Sequence, residues 1–402
     1  MNEVYDDLAR KAVGLVERLV REFGPRVSGT KGNYAAAREL ERVLKEICPN
    51  VETEPFDIHP DSLFSIGKIV GLSYTVGLAA VVVKGVVLSA VGIAGIVLGL
   101  AFCVSQFILY LDLFDKLFPG VKGSNIVGYS EPEGEARRQI ILVGHHDSAY
   151  VYNFHENLPF LFPLRFFLPV ALTLLELVVL VLALFVGIEI PIWTKCVLIS
   201  GLVFVLPMLG YISRRQSPGA GDNLIGCAIG LGILDLFRGS NRLKNTRLAL
   251  LLTDGEEVGQ KGARFFVKKH MKMMKDLETT VINIDSIYEK DDIAILKSDR
   301  NGFVRLSNRL SSALEETAGR RGYAVKTRPL PFGGGGTDAG QFAMKGIDTA
   351  CVIGMPMNVF RKEIVIHTGK DVPGRIRRDA VRAVIEIVSE YIKETDGRES
   401  DN

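Results

Sequence analysis

Two long apolar blocks constrain this chain more than any other feature of its sequence. The first covers residues 66–111, with Lys84 as its main interruption, and the second covers residues 160–212 and divides near Gly187–Pro191. A helix needs about 20 apolar residues to cross a bilayer. The blocks therefore predict four membrane helices, at residues 66–83, 86–111, 164–187 and 190–212. Buried helices of a soluble core are the disfavoured alternative, because such cores rarely contain apolar runs of this length.

Each block forms a hairpin that leaves and returns on one side of the membrane, so the polar parts of the chain should lie together. We expect a soluble domain built from residues 1–63, 113–158 and 213–402, with hairpins at 64–112 and 159–212. Positive charges flank the hairpins on the domain side, at Lys68, Lys116, Lys122, Arg165, Arg214 and Arg215. The far loops contain only Lys84 and Lys195. The positive-inside rule therefore predicts a domain on the cytoplasmic side.

Small and charged residues inside the blocks indicate how the helices pack. Gly95 and Gly99 are four residues apart, a spacing that lets two helices approach closely. Glu176 lies in the middle of the third helix, where a charge costs roughly 2.5–3.5 kcal/mol, so it should face the interior of the bundle. A hydrogen bond between helices is the favoured interpretation of Glu176. A substrate or proton contact within the membrane is the alternative.

Composition excludes several other classes of protein. The formal net charge is +2, and no basic stripe is interleaved with aromatic residues, so nucleic acid is not an expected partner. The five cysteines are scattered and include no C-x-x-C pair, which argues against a disulfide framework and against a cysteine-ligated zinc site. The acidic N-terminus lacks the apolar core of a signal peptide. A reducing compartment fits this cysteine usage best.

Outside the blocks, strands and helices alternate. Buried strands are predicted at residues 138–143, 246–252, 280–284 and 348–353, and helices at residues 223–237 and 373–393. Pro373 suits a first helical position. This alternation predicts an α/β sheet with helices on both faces. Such sheets place their functional sites at the carboxyl ends of their strands.

Histidines and carboxylates lie at the boundaries of these elements. In chain order they are His145, Asp147, Asp222, Glu256, Glu257, Asp285 and His367. Each has a structural explanation by itself, since Asp222 could cap a helix, the two glutamates could open one, and a lone histidine is usually structural. As a set they are typical of a divalent metal site, and the absence of cysteine suits zinc, manganese or cobalt.

Two pairs of adjacent residues, Glu256 with Glu257 and His145 with His146, are expected to have different roles within each pair. One of Glu256 and Glu257 can bind metal while the other, which points elsewhere, takes a proton from metal-bound water. His145 and His146 also project differently, so we expect one of them to bind metal. The spacing to Asp147 favours His145, whose second ring nitrogen Asp147 could hold.

With these residues in place, the sequence resembles the di-zinc metallopeptidases that include bacterial leucyl aminopeptidases, aminopeptidase Y and the glutamate carboxypeptidases. The matching segments are Arg26–Gly29, Val143–Ser148, Gly219–Asn223, Glu256–Gly259 with Gly262, Ile282–Asp285, Thr337-Asp338 with Phe342, and His367-Thr368 with Asp371. The resemblance implies a three-layer α/β/α phosphorylase/hydrolase-like fold with a mixed sheet, into which the two hairpins are inserted.

The resemblance also implies a role for each site residue. His145 and Asp285 would hold one metal, Glu257 and His367 would hold the other, and Asp222 would bridge them. Glu256 would be the general base and Asp147 the support behind His145. Two divalent ions, expected to be zinc, would be the cofactors.

Two positions depart from the family pattern. Many aminopeptidase members have a tyrosine before the last histidine, where this chain has Ile366. If that tyrosine helps to stabilise the oxyanion, another donor must replace it, and Tyr150 is our suggestion. A histidine often follows the aspartate of the late Thr-Asp motif, where this chain has Ala339. These changes bear on substrate specificity more than on metal binding.

The sequence therefore predicts a membrane-embedded di-zinc metallopeptidase, an aminopeptidase-like exopeptidase that acts on peptides or proteins close to the lipid bilayer. A glutaminyl-cyclase-like acyltransferase with one zinc is the first alternative. A catalytically inactive membrane scaffold on a peptidase fold is the second, although a scaffold has no need of the intact ligand set or of Glu256.

Overall fold

The computed structural model describes residues 2–356 and 363–397. Its helices are α1 (Asn2–Phe23), α2 (Lys31–Ile47), α3 (Pro60–Phe64), α4 (Ile66–Val83), α5 (Val86–Cys103), α6 (Asn153–Glu156), α7 (Phe162–Val181), α8 (Ile192–Val205), α9 (Ile225–Leu236), α10 (Lys261–Asp276), α11 (Asn308–Arg320), α12 (Ala339–Ala343) and α13 (Arg378–Asp396). Its strands are β1 (Asn50–Ile58), β2 (Val121–Ser130), β3 (Arg138–His145), β4 (Tyr150–Tyr152), β5 (Ile212–Gln216), β6 (Thr246–Thr253), β7 (Glu278–Ile287), β8 (Ala294–Leu296), β9 (Ser298–Asp299), β10 (Val304–Arg305), β11 (Lys326–Arg328) and β12 (Asp348–Gly354).

Eight strands form one mixed sheet in the order β1-β2-β6-β3-β7-β12-β8-β11. The central strands β6, β3, β7 and β12 are parallel, whereas β1, β2 and β8 run antiparallel to their inner neighbours. The α/β class and the mixed sheet predicted from the sequence are confirmed. Because β3, β6 and β7 are parallel neighbours, their carboxyl ends meet at one edge of the sheet.

Helices cover both faces of the sheet. Ile140 and Leu142 of β3 point to the face covered by α1, α2, α9, α11 and α13. Ile141 and Val143, which alternate with them, point to the face covered by α10 and α12. This double burial explains why the central strands appear in the sequence as continuous apolar runs.

Two helix boundaries differ from the sequence prediction. The closing helix begins at Arg378, and Pro373 belongs to a separate short turn over Pro373–Arg375. The chain is diverted between them because the Arg377 N–H donates to the backbone oxygen of Tyr288. The helix predicted from residue 223 begins at Ile225, after a single turn in which Asp222 has non-helical backbone angles and caps nothing.

The two apolar blocks form four long apolar helices. Among the described residues, four helical segments are long and apolar enough to cross a membrane: Ile66–Val83, Val86–Ile108, Pro159–Val186 and Ile192–Gly210. The second ends three residues earlier than predicted and the fourth ends two residues earlier, where Ile212 begins a strand that pairs with β4. Lys84 Nζ lies 3.9 Å from Glu189 Oε1, so the two hairpin loops meet at the same end of the bundle.

Glycines let α4 and α5 approach closely, although the pair differs from the predicted one. Gly92 packs against the Cα of Gly77, and a Cβ added at Gly99 would overlap Ser73, whose own Cβ would be only 2.7 Å away. Gly95 has more space, since the nearest atom to an added Cβ is Val76 Cγ1 at 3.6 Å. The contact with α4 therefore uses Gly92 and Gly99, seven residues apart.

Glu176 faces the interior of the bundle, as the sequence predicts, and is fully buried. Its carboxylate lies against Gly77, where an added Cβ would be 2.6 Å from Oε2. Among the described residues neither carboxylate oxygen has a hydrogen-bond partner. The favoured expectation of a hydrogen bond between helices is therefore wrong, and the glycine provides space for the carboxyl group but no donor.

Replacing Gly99 by alanine is expected to lower the free energy of unfolding by about 1–3 kcal/mol, because the new methyl group overlaps Ser73 in a tightly packed contact. Gly95→Ala is the matched control and should change stability by less than about 0.5 kcal/mol. Denaturation of the purified protein in detergent measures both variants. Equal stability of the two variants would contradict this account of the α4–α5 contact.

Candidate metal centre

Two groups of three metal-ligating side chains lie at the carboxyl edge of the sheet. One group is His145, Asp222 and Asp285, and the other is Asp222, Glu257 and His367. Within each group the ligand atoms all lie within 4.8 Å of one another. Asp222 belongs to both groups, so the structure brings all five predicted ligands together around one shared carboxylate.

Asp222 turns one oxygen toward each histidine. Its Oδ1 lies 3.2 Å from His145 Nε2, and its Oδ2 lies 3.2 Å from His367 Nε2. The carboxylate of Asp371 fixes the backbone next to it, since it accepts the N–H groups of Gly221 at 2.7 Å and of Asp222 at 3.2 Å. The loop therefore presents the Asp222 carboxylate in one orientation.

Arg26 holds the same loop from the other side. Its guanidinium is fully buried and donates to the backbone oxygens of Pro218 at 2.8 Å, Gly219 at 2.6 Å and His146 at 2.9 Å. Gly219 has a positive φ of 63°, and a side chain there would collide with Ser148 and Arg26. One buried cation thus ties the Asp222 loop to the end of β3, where His145 lies.

Asp147 connects His145 to the paired glutamates. Its Oδ1 lies 3.4 Å from His145 Nδ1, and its two oxygens accept the backbone N–H groups of Glu256 and Glu257, each at 3.2 Å. Burial acts to raise the pKa of Asp147, but the hydrogen bond and the charge of His145 outweigh it and hold the pKa below its usual value. Asp147 therefore remains an acceptor that orients both the imidazole and the turn.

The two glutamates point in different directions, as expected for neighbours on a tight turn between Gly255 and Gly259, both with positive φ. Glu257 Oε2 lies 2.9 Å from His367 Nε2. Glu256 Oε2 lies 3.9 Å from His145 Nε2, outside the two ligand groups. One glutamate is thus placed with the ligands while the other faces the space beside them.

Asp285 and His367 complete the groups from two other segments. Asp285 lies near the end of β7, and its Oδ1 accepts a hydrogen bond from the Ser286 hydroxyl at 2.9 Å. His367 follows the undescribed residues 357–362 and has a φ of 56°, a backbone angle that non-glycine residues rarely adopt. Its backbone oxygen accepts the Tyr152 N–H at 2.8 Å.

The neighbouring histidine points away from the centre. His146 Nε2 lies 3.1 Å from the Ser124 backbone oxygen, and Nδ1 lies 3.4 Å from Asn33 Nδ2. It belongs to neither ligand group.

Several polar atoms of the centre have no hydrogen-bond partner in the described part of the chain but are suitable ligands for a divalent cation. His145 Nε2, Asp222 Oδ2 and Glu257 Oε1 are buried and have no hydrogen-bond partner among the described residues. Buried polar atoms without partners are costly. Imidazole nitrogens and carboxylate oxygens at mutual ligand distances are the donor set of zinc and related ions.

A cavity of about 680 Å³ opens beside the ligands. Its walls include Asp222, Glu256, Glu257, Asp285 and His367, together with four tyrosines, Tyr110, Tyr152, Tyr211 and Tyr288. Tyr150, which was suggested as the replacement hydroxyl, packs edge-on against Phe64 with ring centroids 4.8 Å apart. Tyr152 lies on the cavity instead, with its ring 4.5 Å from that of His367.

Sequence reasoning missed these tyrosines and also His155, whose ring stacks on His367 at 5.8 Å. Burial, together with the charge of His367, lowers the pKa of His155 to about 3. Tyr110 and Tyr211 lie inside the apolar blocks, where hydropathy dominates the pattern, and Tyr152 and His155 lie just before the second block. These residues are identified by ring contacts in the folded chain, such as those among Tyr152, His155 and His367, and these contacts leave no pattern in the sequence.

The family model that matches the chain is peptidase family M28, over residues 207–392. No curated protein sequence matches the chain significantly.

Solved structures similar to this one include both peptidases and cyclases. A leucine aminopeptidase precursor from Bacteroides thetaiotaomicron is 14% identical with a TM-score of 0.58, covering 97% of each chain. A zinc aminopeptidase from Bacillus subtilis is 13% identical with a TM-score of 0.58, covering 96% of this chain and 95% of that one. A glutaminyl cyclase from Fimbriiglobus ruber is 15% identical with a TM-score of 0.57, covering 96% and 94%. At these identities the similarity shows the fold alone.

Zinc binding to the metal-free protein is expected to release at least about two protons at pH 7, because imidazoles bind metal only when they are neutral. Burial alone would lower the pKa of both histidines, but the surrounding carboxylates outweigh it. They raise the pKa of His145 well above its usual value and that of His367 to about 10. Calorimetry in buffers of different ionisation enthalpy measures the proton release.

The same shift makes metal-free stability depend on pH. The folded pKa of His367, about 10, lies above the unfolded value of roughly 6.5. Its contribution to stability is therefore fully present below about pH 6.5 and is lost as the pH rises through 10. The Tm of the metal-free protein should fall over this interval, while that of zinc-loaded protein stays nearly constant. Parallel curves for the two forms would contradict the assignment of His367 as a ligand.

Proposed function

We propose that this chain, whose residues 207–392 match the model of peptidase family M28, is a membrane-embedded di-metal peptidase that hydrolyses peptide bonds as an aminopeptidase-like exopeptidase. His145 and Asp285 would hold one cation, Glu257 and His367 the other, and Asp222 both. Zinc is the metal that suits this donor set best. Two bound cations would polarise the scissile carbonyl and acidify the attacking water.

Glu256 is the general base of the proposed reaction. It lines the cavity beside the ligands without belonging to either group, so its carboxylate is free to accept the proton of the attacking water and to deliver it to the leaving amine. Burial raises the pKa of Glu256 well above its usual value in the metal-free protein. A raised pKa suits a group that must hold a proton between the two steps.

Asp147 has a positioning role in this scheme. It accepts the backbone N–H of Glu256 and contacts His145 Nδ1, so it fixes the base and one ligand relative to each other. The observation that carries the whole proposal is the pair of ligand groups sharing Asp222, with Glu256 beside them and a cavity in front.

A glutaminyl-cyclase-like acyltransferase is the second candidate, because glutaminyl cyclases and aminopeptidases match this fold with nearly equal TM-scores. Metal content separates the two. About two metal ions per chain favour the peptidase, whose two-metal clamp needs both ions, and one ion favours the cyclase.

We propose further that the four long apolar helices cross the membrane, with the catalytic domain on the cytoplasmic side. Large apolar side chains along these helices point outward, such as Val87, Phe185 and Val203, each more than 70% exposed. Contiguous exposed apolar surface of this kind marks contact with lipid or another apolar partner. The positive charges that flank the helices on the domain side support this orientation.

Glu256→Gln is expected to lower kcat by roughly 100- to 10,000-fold, because the amide cannot accept the proton. Its metal content should stay at about two ions per chain, since Glu256 is not in either ligand group. Peptide hydrolysis and metal analysis of the purified full-length protein measure the two effects. Glu316→Gln, at an exposed position on α11, is the control with the same chemical change and should keep wild-type activity.

Wild-type turnover by the Glu256→Gln protein would exclude Glu256 as the base. An inactive wild-type protein that holds two metal ions and shows no chelator-sensitive hydrolysis of any peptide or aminoacyl substrate would favour the scaffold.

The topology is tested by single cysteines at Lys84 and Glu189, which lie together at the far end of the hairpins. In a background without the exposed Cys196, both should react with a membrane-impermeant maleimide only from the outer side. A cysteine at Glu316 should react only from the cytoplasmic side. Labelling of the hairpin loops from the cytoplasm would overturn the proposed orientation.

A further inference from the structure

The cavity beside the metal centre is walled by the ends of all four long apolar helices. Ile66 begins the first of these helices, Phe107 lies in the last turn of the second, Phe162 lies at the start of the third, and Tyr211 directly follows the fourth. The catalytic cavity therefore lies where the soluble domain meets the apolar bundle. The inserted hairpins supply part of its wall.

Aromatic rings make up most of this part of the wall. Phe107 and Phe162 both pack on the buried ring of Phe166, with centroids 4.8 Å and 5.7 Å apart. Tyr211 packs on Tyr152 at 5.1 Å, and Tyr152 in turn contacts His367. A continuous row of rings thus leads from the bundle to a metal ligand.

The domain side of the cavity adds an apolar loop at the same level. Phe332 stacks on Phe167 of α7 at 5.5 Å, and Gly333 lies so close to that ring that an added Cβ would be 2.9 Å from Phe167 Cζ. Phe332 is 57% exposed, and its neighbour Phe303 is 64% exposed. Large apolar rings that face outward beside the first turns of a membrane helix suit the boundary between lipid and water.

The hairpins contribute no charged side chain to the described lining of the cavity; they contribute rings, a proline and isoleucines. The charged lining residues, which are four candidate metal ligands and Glu256 together with Glu289, Asp292, Glu363 and Arg375, all belong to the domain. A polar residue placed against the hairpin part of the wall would lose its hydration without gaining partners. An apolar residue would lose no hydrogen bonds there, and the burial of its surface away from water would favour binding.

We propose that the substrate of this site is an apolar peptide held in the bilayer, whose residues beyond the scissile bond lie against Phe107, Phe162, Phe167 and Phe332. This inference rests on the proposed peptidase function and on membrane insertion of the hairpins. A chain end that lies among the helix ends reaches the metal centre without crossing bulk water. The site would thus degrade short membrane-inserted peptides in preference to water-soluble ones.

The test uses the full-length protein in phosphatidylcholine nanodiscs and two peptides with the same Leu-Ala amino end. One peptide continues as a run of leucines and alanines, and the other as a run of serines and glycines. The apolar peptide should have a kcat/KM at least roughly tenfold higher, the discrimination expected when apolar groups fill an apolar pocket. Equal values, or a preference for the polar peptide, would overturn the inference and leave the peptidase function intact.

Phe162→Ala and Phe332→Ala are expected to reduce this preference by roughly tenfold through a higher KM for the apolar peptide. Hydrolysis of the polar peptide should stay within about twofold. Phe332 is exposed on a loop, so its loss should not disturb the core. Phe185→Ala is the matched control, since Phe185 is exposed near the far end of the same hairpin and should leave the preference unchanged. An unaltered preference in both wall variants would overturn the assignment of the wall.

A binding measurement separates failure of the inference from failure of the proposed function. Calorimetry with the Glu256→Gln protein should show the apolar peptide binding roughly tenfold more tightly than the polar one, with the difference lost when Phe162→Ala is added. If neither peptide is hydrolysed but this binding pattern is found, the apolar site is supported and the peptidase function fails. If neither hydrolysis nor selective binding is found, both fail.

Discussion

Asp222 presents one carboxylate oxygen to each of two buried histidines, at 3.2 Å in both cases. That double contact requires the Asp222 carboxylate to keep one orientation. Asp371 and Arg26 hold the backbone of the loop through hydrogen bonds, and the Ser286 hydroxyl donates to Asp222 Oδ1 at 3.3 Å. The remaining parts of the centre are arranged around this loop.

The centre contains more acid than its own cations can balance. Asp222, Glu256, Glu257 and Asp285 surround two imidazoles, and the buried guanidinium of Arg26 donates to backbone oxygens rather than to these carboxylates. Burial raises the pKa of Glu257 to about 7 and that of Asp285 to about 6. A carboxyl group with a pKa near 7, such as that of Glu257, keeps part of its proton at neutral pH until a stronger cation displaces it, so metal binding at this site would release protons.

Much of this centre could be predicted from the sequence because the candidate ligands lie close to the ends of buried strands. His145 ends β3, Glu257 follows β6 and Asp285 lies near the end of β7, and parallel strands bring such ends together. The hydrogen bonds that hold the Asp222 loop could not be predicted in this way. Asp371 accepts a hydrogen bond from the backbone N–H of Gly221, which is 150 residues away in the chain. A contact with a backbone group leaves no pattern in the sequence. Hydropathy likewise located the four helices but could not distinguish rings that face the cavity from rings that face outward.

A cluster of ion pairs connects the first hairpin to the turn that carries Glu256 and Glu257. Lys261 begins α10, directly after the turn that carries Glu256 and Glu257, and its ammonium group lies 2.7 Å from Asp112 and 2.6 Å from Asp115. Both aspartates follow the end of the first hairpin, and the Lys261 side chain is only 7% exposed. A buried ammonium that lost these partners would be strongly unfavourable. These ion pairs therefore couple the turn that carries Glu256 and Glu257 to the first hairpin, so the candidate metal centre and the apolar bundle are joined through buried contacts.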